Sequence, residues 1–335
     1  MEDFMFRAIA SRRSRGAARA FLLCGALWAL SAPCAALAQD ARGPVRLLVG
    51  YPPGGPADTA ARIVAEKLTQ ALGRTVLVDN RPGAGGQIAA QALKVAPADG
   101  SVLLLSNTHT VATIPLTVRN AGFSPATDFR PVGTIATFEL ALAVHPKTGA
   151  TNLAGLGAWF ARHPGETGIG VPAAGSAPEF VAGKISKALK ADTVPVPYRG
   201  AAPLVQDLLG AQVAAGISGV SDFLPYHQNG KLRIIAVSNP TPLLPGVPSF
   251  AQAGIAGLAL TDFLGLYAPA ATPDAIVVRY NATLNRVLAM PEIGEKLREH
   301  VMLPAPGTPA EQAQRLAQVS TALAGVVRES GYRPQ

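Results

Sequence analysis

The chain has 335 residues, of which 49% are hydrophobic, and it carries 29 basic and 21 acidic residues. This length exceeds what one hydrophobic core usually holds, so we expect two domains. The net charge of +8 is not gathered into a run of lysine and arginine, which excludes a typical nucleic-acid-binding surface. A modest positive charge instead favours anionic solutes.

The first 38 residues have the pattern of an export signal. Five arginines form a basic leader, residues 21–32 are apolar but too few to span a bilayer, and Ala36-Leu37-Ala38 offers a cleavage site. We therefore expect cleavage after Ala38 and a periplasmic protein, with both the Sec and the twin-arginine route open. The remaining chain has 24 basic and 19 acidic residues and no cysteine, so its stability depends on its core and not on disulfides.

After residue 39, short apolar runs alternate with amphipathic stretches. This alternation predicts an α/β fold with mainly parallel sheets. The first helix is the clearest, because residues 60–72 carry apolar side chains at helical spacing. We predict strands at residues 45–49, 75–78, 102–105, 140–144, 168–171, 194–197, 213–217, 232–237 and 263–268, and further helices at residues 87–95, 179–189, 202–209, 275–288 and 310–327. The last two helices are expected to follow one another without an intervening parallel strand, in a C-terminal segment that returns to cover the first domain.

Two loops rich in glycine and proline join a predicted strand to a predicted helix: residues 51–58 (YPPGGPAD) and residues 172–179 (PAAGSAPE). Such a loop leaves backbone N–H groups free beside a helix N-terminus, where the helix dipole favours an anion such as a carboxylate. The alternative is a structural turn in which Asp58 or Ser176 simply caps the helix. A third loop, residues 82–87, matches neither the dinucleotide nor the phosphate-binding pattern, so we interpret it as a tight turn.

The sequence shows no catalytic or metal-binding pattern. Neither residues 172–179 nor residues 216–221 match the Gly-x-Ser-x-Gly elbow of hydrolases, and the five histidines lack metal-ligand spacing. Among the histidines, only His109 follows a buried strand in a loop where a ligand is expected. We predict no cofactor, no metal and no enzymatic activity, and a secreted α/β enzyme is kept as the alternative.

A series of short motifs resembles one family of exported receptors. Their order and spacing are similar to those of the substrate-binding proteins of tripartite tricarboxylate transporters, the Bug-type receptors, over essentially the whole chain after the leader. The motifs are YPPGGPAD (51–58), VDNRPGAGG (78–86), PADG (97–100), PYRGAAP (197–203), DLLGAQV (207–213), NGKLR (229–233), PGVPSF (245–250) and LGLYAPA (264–270).

The resemblance implies a two-domain periplasmic-binding-protein fold of the type II-like kind, with a ligand cleft between the α/β domains. Domain 1 is expected to comprise residues 39–140 plus 265–335, and domain 2 residues 141–264. The resemblance also implies a monomeric receptor that captures a small organic acid or amino-acid-like solute and delivers it to cognate inner-membrane transporter subunits. A ligand-sensing subunit that docks on a membrane signalling receptor is a second alternative.

The resemblance further implies that the two loops hold one solute carboxylate, largely through backbone donors. Two positions depart from the family pattern: Glu179 stands where histidine is common, and Phe263 where tryptophan is frequent. Glu179 would repel a dicarboxylate or bind an amino group. The expected solute contacts are Tyr51, Pro52, Gly54, Gly55, Asp58, Asn107, Thr108, His109, Gly175, Ser176, Ala177, Glu179, Ser218, Gly219, Ser221, Asp222 and Phe263.

Mass spectrometry of the exported protein tests the predicted leader. Because the small-x-small site ends at Ala38, the expected product begins at Gln39. A retained leader, or a lipid attached to Cys34, would contradict the prediction.

Overall fold

Ten strands join into one sheet in the described part of the chain, which comprises residues 43–258 and 260–334 of a computed structural model. The leader and the predicted cleavage site lie outside the described residues. The strands are β1 (Val45–Val49), β2 (Val76–Asn80), β3 (Val102–Asn107), β4 (Phe129–Val144), β5 (Gly168–Val171), β6 (Val194–Pro197), β7 (Ala215–Gly219), β8 (Arg233–Val237), β9 (Thr261–Pro269) and β10 (Leu303–Pro304).

Helices form where apolar residues recur at helical spacing, and they cover the sheet. They are α1 (Pro56–Leu72), α2 (Gln87–Lys94), α3 (Ile114–Thr117), α4 (Pro125–Asp128), α5 (Leu153–Arg162), α6 (Ala177–Leu189), α7 (Ala201–Leu209), α8 (Val220–Gln228), α9 (Asp274–Leu288), α10 (Pro291–Glu299) and α11 (Pro309–Ser330), with a π-helix at His109–Thr113. Proline in the first turn begins α1, α6 and α11, since the missing N–H has no helical partner there. The bounds of the predicted helices agree within four residues, whereas α3, α4, α5, α8 and α10 are absent from the prediction.

The strand order is β2-β1-β3-β9-β4-β7-β5-β6, and β8 and β10 also pair with β4. The outer parts of the sheet are parallel, because β1 pairs with β2 and β3, and β5 with β6 and β7, in that sense. In the middle, β4 and β9 are antiparallel to each other and to their other neighbours. The prediction of mainly parallel sheets is therefore right for the outer parts and wrong for the centre.

The longest strand, β4, takes part in both halves of the sheet. Residues 129–139 pair with β9, and residues 140–144 pair with β7 and β8. Register shifts in the β4–β9 ladder accompany Pro131, Gly133 and Ala136. The prediction of a strand at residues 140–144 alone missed the first part, because proline and glycine interrupt the usual strand composition there.

Apolar side chains form three buried clusters. One lies between β1, α1 and α9 and includes Val64 and Tyr280; another lies around α7 and α8 and includes Leu204 and Phe223. The largest cluster extends from β3 through β9 to β5, α6 and α11. The two halves of the sheet therefore share a core as well as two strands.

The C-terminal region has more structure than the sequence predicts. α10 and β10 lie between α9 and α11, and β10 pairs with β4 in the antiparallel sense, so the intervening strand is not a parallel one. α9 and α10 pack against α1, whereas α11 packs against β4, the π-helix and α6. The final helix thus contacts elements of both halves of the sheet, and not the first half alone.

The described residues, 43–258 and 260–334, belong to one compact unit. The β4–β9 pair crosses between the halves of the sheet, but the boundaries at residues 140 and 264 stay a prediction. Within residues 43–258 and 260–334, we find no helix with the length and apolar character that a bilayer span requires.

Candidate functional site

The first predicted loop, residues 51–58, leads from the carboxyl end of β1 into α1. Gly55 is the N-cap residue and Pro56 the first helical residue. Gly54 has a left-handed φ of 85°, which other residues rarely adopt. Its N–H donates to Oδ2 of Asp58 at 2.9 Å. The loop is therefore folded back onto the first turn of its own helix.

Asp58 is the buried anchor of this loop. Its side chain is 3% exposed and accepts hydrogen bonds from Nε of Arg62 at 2.8 Å and from Nδ2 of Asn80 at 2.9 Å. Burial alone would raise the pKa of Asp58, but these hydrogen bonds and that of Gly54 lower it to about 2. Asp58 is therefore ionised, and both of its oxygens are already engaged. It shapes the loop, and since Gly55 is the N-cap, it does not cap the helix.

The Tyr51 hydroxyl connects three loops at this edge of the sheet. It lies 2.8 Å from Oδ1 of Asn107, 2.9 Å from Oγ1 of Thr110 and 3.0 Å from the carbonyl oxygen of Gly85. Burial raises the pKa of Tyr51 to about 12, so the phenol stays protonated. Since β1 and β3 are parallel, their carboxyl ends meet here. The predicted contacts Tyr51 and Asn107 thus lie together.

Thr108 and His109 follow β3 at the same edge. The Thr108 hydroxyl accepts a hydrogen bond from the N–H of Phe263 at 3.0 Å, which fixes the loop to β9. The His109 ring lies beside Gly85, where an added methyl group would come within 2.8 Å of Nε2. Burial lowers the pKa of His109, so its imidazole is neutral at pH 7. A neutral imidazole both donates and accepts hydrogen bonds.

The second predicted loop, residues 172–179, repeats the arrangement of the first. It leads from the carboxyl end of β5 into α6, and Gly175 has a left-handed φ of 65°. The Gly175 N–H donates to Oε2 of Glu179 at 2.5 Å, at the same sequence spacing as Gly54 and Asp58. One oxygen of Glu179 is therefore engaged within its own loop.

Ser176 is the N-cap residue of α6, yet its hydroxyl donates to the Ala173 carbonyl oxygen at 2.6 Å and does not cap the helix. The interpretation of Ser176 as an ordinary side-chain cap is therefore wrong. In the residues that the structure describes, the N–H groups of Ser176 and Ala177 make no hydrogen bond, and the same holds for Gly55 and Ala57 in the first loop. These are the backbone donors that each loop offers to an anion.

Ser218, Gly219, Ser221 and Asp222 lie at the carboxyl end of β7 and the start of α8. Because β7 runs parallel to β5, they share an edge of the sheet with the second loop. The Ser218 hydroxyl donates to Oδ2 of Asp222 at 2.5 Å. Burial raises the pKa of Asp222.

Sequence reasoning missed Glu139 on β4. Its side chain is half-buried and accepts hydrogen bonds from the Ser238 hydroxyl and from Nδ2 of Asn239. The same Asn239 amide donates to Oγ1 of Thr261 on β9 at 2.7 Å. Burial raises the pKa of Glu139.

Asp262 on β9 was also missed. It is half-buried, and both Tyr51 and Glu139 lie close enough to interact with its charge. Burial raises the pKa of Asp262 to about 6, against a hydrogen bond with Thr108 that lowers it. The available signal was an acidic residue directly before each of two apolar runs, residues 140–144 and 263–268.

The predicted contacts therefore fall into two sets, one on each half of the sheet, with β4 and β9 between them. Pro52 and Gly54 are exposed. Phe263 is fully buried in the core, so its side chain offers no exposed surface to a solute here. Among residues 43–258 and 260–334, no cluster of histidine, cysteine, aspartate and glutamate is arranged to hold a metal ion.

Comparison with known proteins places this arrangement among solute receptors. The family model described as tripartite tricarboxylate transporter family receptor matches residues 60–330. BugT of Bordetella pertussis is 32% identical over 307 residues, which are 91% of this chain and 94% of BugT. Rpa4515 of R. palustris, solved with adipate, is 30% identical with a TM-score of 0.77, over 88% of this chain and 99% of that one.

Two further solved structures agree. The periplasmic binding protein BugD is 27% identical with a TM-score of 0.74, over 88% of this chain and 99% of BugD. MatC of Rhodopseudomonas palustris with bound malate is 25% identical with a TM-score of 0.73, over 86% of this chain and 99% of MatC.

The fold is that of a solute-binding protein of the periplasmic-binding-protein type. The chain belongs to the tripartite tricarboxylate transporter receptors. This confirms both the resemblance and the fold class that the motifs indicated.

Replacing Asp58 by alanine removes the acceptor shared by Gly54, Arg62 and Asn80. Hydrogen bonds to charged groups contribute about 1.5 to 3 kcal/mol each, and solvent screens the exposed Arg62, so we expect the free energy of unfolding to fall by about 2 to 3 kcal/mol. Urea denaturation measures this loss. Asp192→Ala, at an exposed position, is the control. Equal stability of the two variants would contradict the anchoring role.

The lowered pKa of Asp58 gives the same contribution a pH dependence. The stabilisation is full above the ordinary carboxyl pKa of 3.8 and is lost as the pH falls through about 2. The stability difference between wild type and Asp58→Ala should therefore shrink between pH 4 and pH 2. A constant difference over this range would show that ionisation of Asp58 does not matter.

Proposed function

We propose that this chain is a periplasmic receptor that binds a small carboxylate-bearing solute between its two loops and delivers it to inner-membrane transporter subunits without chemical change. The family match supports the receptor role. The observation that supports a carboxylate-bearing solute is the matched pair of loops, each with free N–H groups at the start of a helix. The relatives solved with adipate and with malate support it.

The two loops are prepared for binding by the same device. In each, a glycine N–H is held by a carboxylate of the following helical turn. The left-handed glycine and this hydrogen bond fix the backbone before solute arrives, so little conformational entropy is lost on binding. Since backbone groups supply the donors, the loops recognise a carboxylate without requiring an arginine or lysine.

We further propose that the solute carries a positive group in addition to its carboxylate. In the described part of the chain, Glu139, Asp222 and Asp262 have no lysine or arginine partner among the groups that perturb them. With a pKa of about 6, Asp262 is ionised at pH 7.5. A second carboxylate about 6 Å from this charge would be repelled by about 3 kcal/mol at an effective dielectric constant of about 20, and an ammonium group would be attracted equally. A solute that carries an ammonium group therefore suits this site better than a dicarboxylate that lacks one.

Malate and aspartate test this proposal as a matched pair, because they differ in a hydroxyl or an ammonium group on one carbon. We expect aspartate to bind at least about tenfold more tightly at pH 7.5, which corresponds to about 1.4 kcal/mol of the attraction. Isothermal titration calorimetry of the chain from Gln39 measures both affinities. Adipate and ε-aminocaproate form a second pair with the same expectation.

Tighter binding of malate than aspartate, and of adipate than ε-aminocaproate, would contradict the positive group and leave the receptor role intact. If no carboxylate or amino acid in a broader panel raised the thermal midpoint, the receptor role itself would be contradicted, because a ligand at 100 times its Kd adds about 2.7 kcal/mol of stability.

The Asp262→Asn variant tests the charge directly. With a pKa of about 6, the Asp262 carboxylate is mostly ionised at pH 7.5 and mostly protonated at pH 5. The affinity for ε-aminocaproate, which does not titrate in this range, should therefore fall as the pH is lowered, and Asp262→Asn should reduce that fall. Calorimetry at both pH values measures it, with Asp192→Asn as control. A full pH dependence in Asp262→Asn would contradict the assignment.

The raised pKa of Asp262 also makes the stability of the unliganded protein depend on pH. Because folding raises the pKa of Asp262 above 3.8, the folded state holds this proton more tightly than the unfolded chain does. The contribution of Asp262 to stability is therefore fully present at low pH and is lost as the pH rises through about 6. Replacement by asparagine should stabilise the protein more at pH 7.5 than at pH 5.

A further inference from the structure

The C-terminal helix α11 contacts both halves of the sheet. Near its start, the buried Gln312 donates from Nε2 to the carbonyl oxygen of Leu266 on β9 at 3.2 Å. Further along, Leu323 is buried in the same apolar cluster as Val111 of the π-helix and Phe180 of α6. α11 is therefore a link between the half that carries the first loop and the half that carries the second.

The end of α11 is fastened to α6, the helix that begins at the second loop. Glu329 forms a salt bridge with Lys184 at 3.3 Å, and its carbonyl oxygen accepts a hydrogen bond from Nζ of Lys187 at 2.8 Å. Beyond the helix, the Tyr332 ring meets the ring of Phe180 edge-on, with 5.5 Å between the ring centres. These contacts place Tyr332 beside the first turn of α6.

Tyr332 also lies against the second loop itself. A methyl group on Gly175 would come within 3.0 Å of the Tyr332 hydroxyl oxygen. The first loop has no such neighbour, since nothing lies within 4 Å of a methyl group placed on Gly54. The two loops, alike in their own hydrogen bonds, therefore differ in what covers them.

The anchoring carboxylates of the two loops differ as well. Asp58 receives hydrogen bonds from Arg62 and Asn80 in addition to the loop N–H. In the part of the chain that the structure describes, Glu179 receives only the Gly175 N–H. The second loop thus has weaker support from its own half of the sheet.

We propose that Tyr332 supplies this missing support and is a positioning residue for the second solute-binding loop. Its ring packs on α6 and its hydroxyl covers Gly175, so residues 173–176 keep the conformation that presents the N–H groups of Ser176 and Ala177. The inference rests on the proposed function of the two loops as the carboxylate site. It assigns to the last residues of the chain a part in solute affinity, although they follow the final helix.

A pair of glycine variants separates contact with Tyr332 from backbone strain. Gly54→Ala and Gly175→Ala both force a side chain into a left-handed φ, but only at Gly175 does the new methyl group meet the Tyr332 hydroxyl. Tyr332→Phe, which removes that oxygen, should recover part of the thermal midpoint lost in Gly175→Ala and none of that lost in Gly54→Ala. If Tyr332→Phe changed the thermal midpoint equally in Gly175→Ala and Gly54→Ala, the contact between Tyr332 and Gly175 would be contradicted.

Tyr332→Ala tests the positioning role itself. In the unliganded protein, amide hydrogen exchange should become faster in residues 172–179 and stay unchanged in residues 51–58. Because a less ordered loop must be fixed on binding, affinity for the tightest of aspartate, malate, adipate and ε-aminocaproate should fall about tenfold. Tyr332→Phe should restore most of the affinity and the protection, and a chain that ends at Tyr332 should match wild type.

The exchange measurement needs no solute, so it tests this inference even if none of the four compounds binds, an outcome that would count against the proposed function alone. Unchanged exchange in residues 172–179 of Tyr332→Ala, or an equal increase in residues 51–58, would overturn the inference. So would wild-type affinity of Tyr332→Ala for a compound that wild type binds.

Discussion

The antiparallel pairing of β4 with β9 is the constraint on which the rest of the structure depends. Outside this pair, each half of the sheet is built from parallel strands whose carboxyl ends gather the loops at one edge. Because β4 continues into the second half while β9 returns to the first, the two edges are joined through the same two strands. Glu139 and Asp262 consequently lie on the two strands that join the half with the first loop to the half with the second, although the sequence separates these loops by more than a hundred residues.

The two loops share one local structure, although their sequences are not an internal repeat. A left-handed glycine is followed by an acidic residue in the first helical turn, and the carboxylate accepts the glycine N–H. This hydrogen bond engages the N–H group of the residue just before the N-cap and leaves the next ones free, so the loop is ordered yet still able to bind an anion. In such a loop the acidic side chain fixes the backbone by accepting the glycine N–H. Its negative charge is therefore explained even though the loop is proposed to bind a carboxylate.

Much of this could be predicted from the sequence, and the exceptions have physical causes. The strand-to-helix loops were recognisable because glycine, proline and helix periodicity are local signals. The order of the motifs along the chain then indicated the family. The first half of β4 was not recognised, because Pro131 and Gly133 are unfavourable in strands and are held there by pairing with β9, which is distant in sequence. Asp262 and Tyr332 were missed because their importance arises from neighbours distant in sequence, Tyr51 in one case and Gly175 in the other. Serine is a common N-cap residue, but the Ser176 hydroxyl donates to the Ala173 carbonyl oxygen and not to the helix.

The length of chain between β4 and β9 also determines the order in which the protein can fold. Phe129 pairs with Pro269 and Glu139 with Thr261, so the central ladder cannot form until most of the chain has been synthesised. Contacts of such large sequence separation form slowly, because the intervening segment must first be ordered. The helices and parallel strands on either side can form earlier, but the sheet is completed late. A chain built in this way stays incompletely folded for longer after synthesis than one with local strand pairs. This lengthens the time during which it can be transported across a membrane as an extended polypeptide.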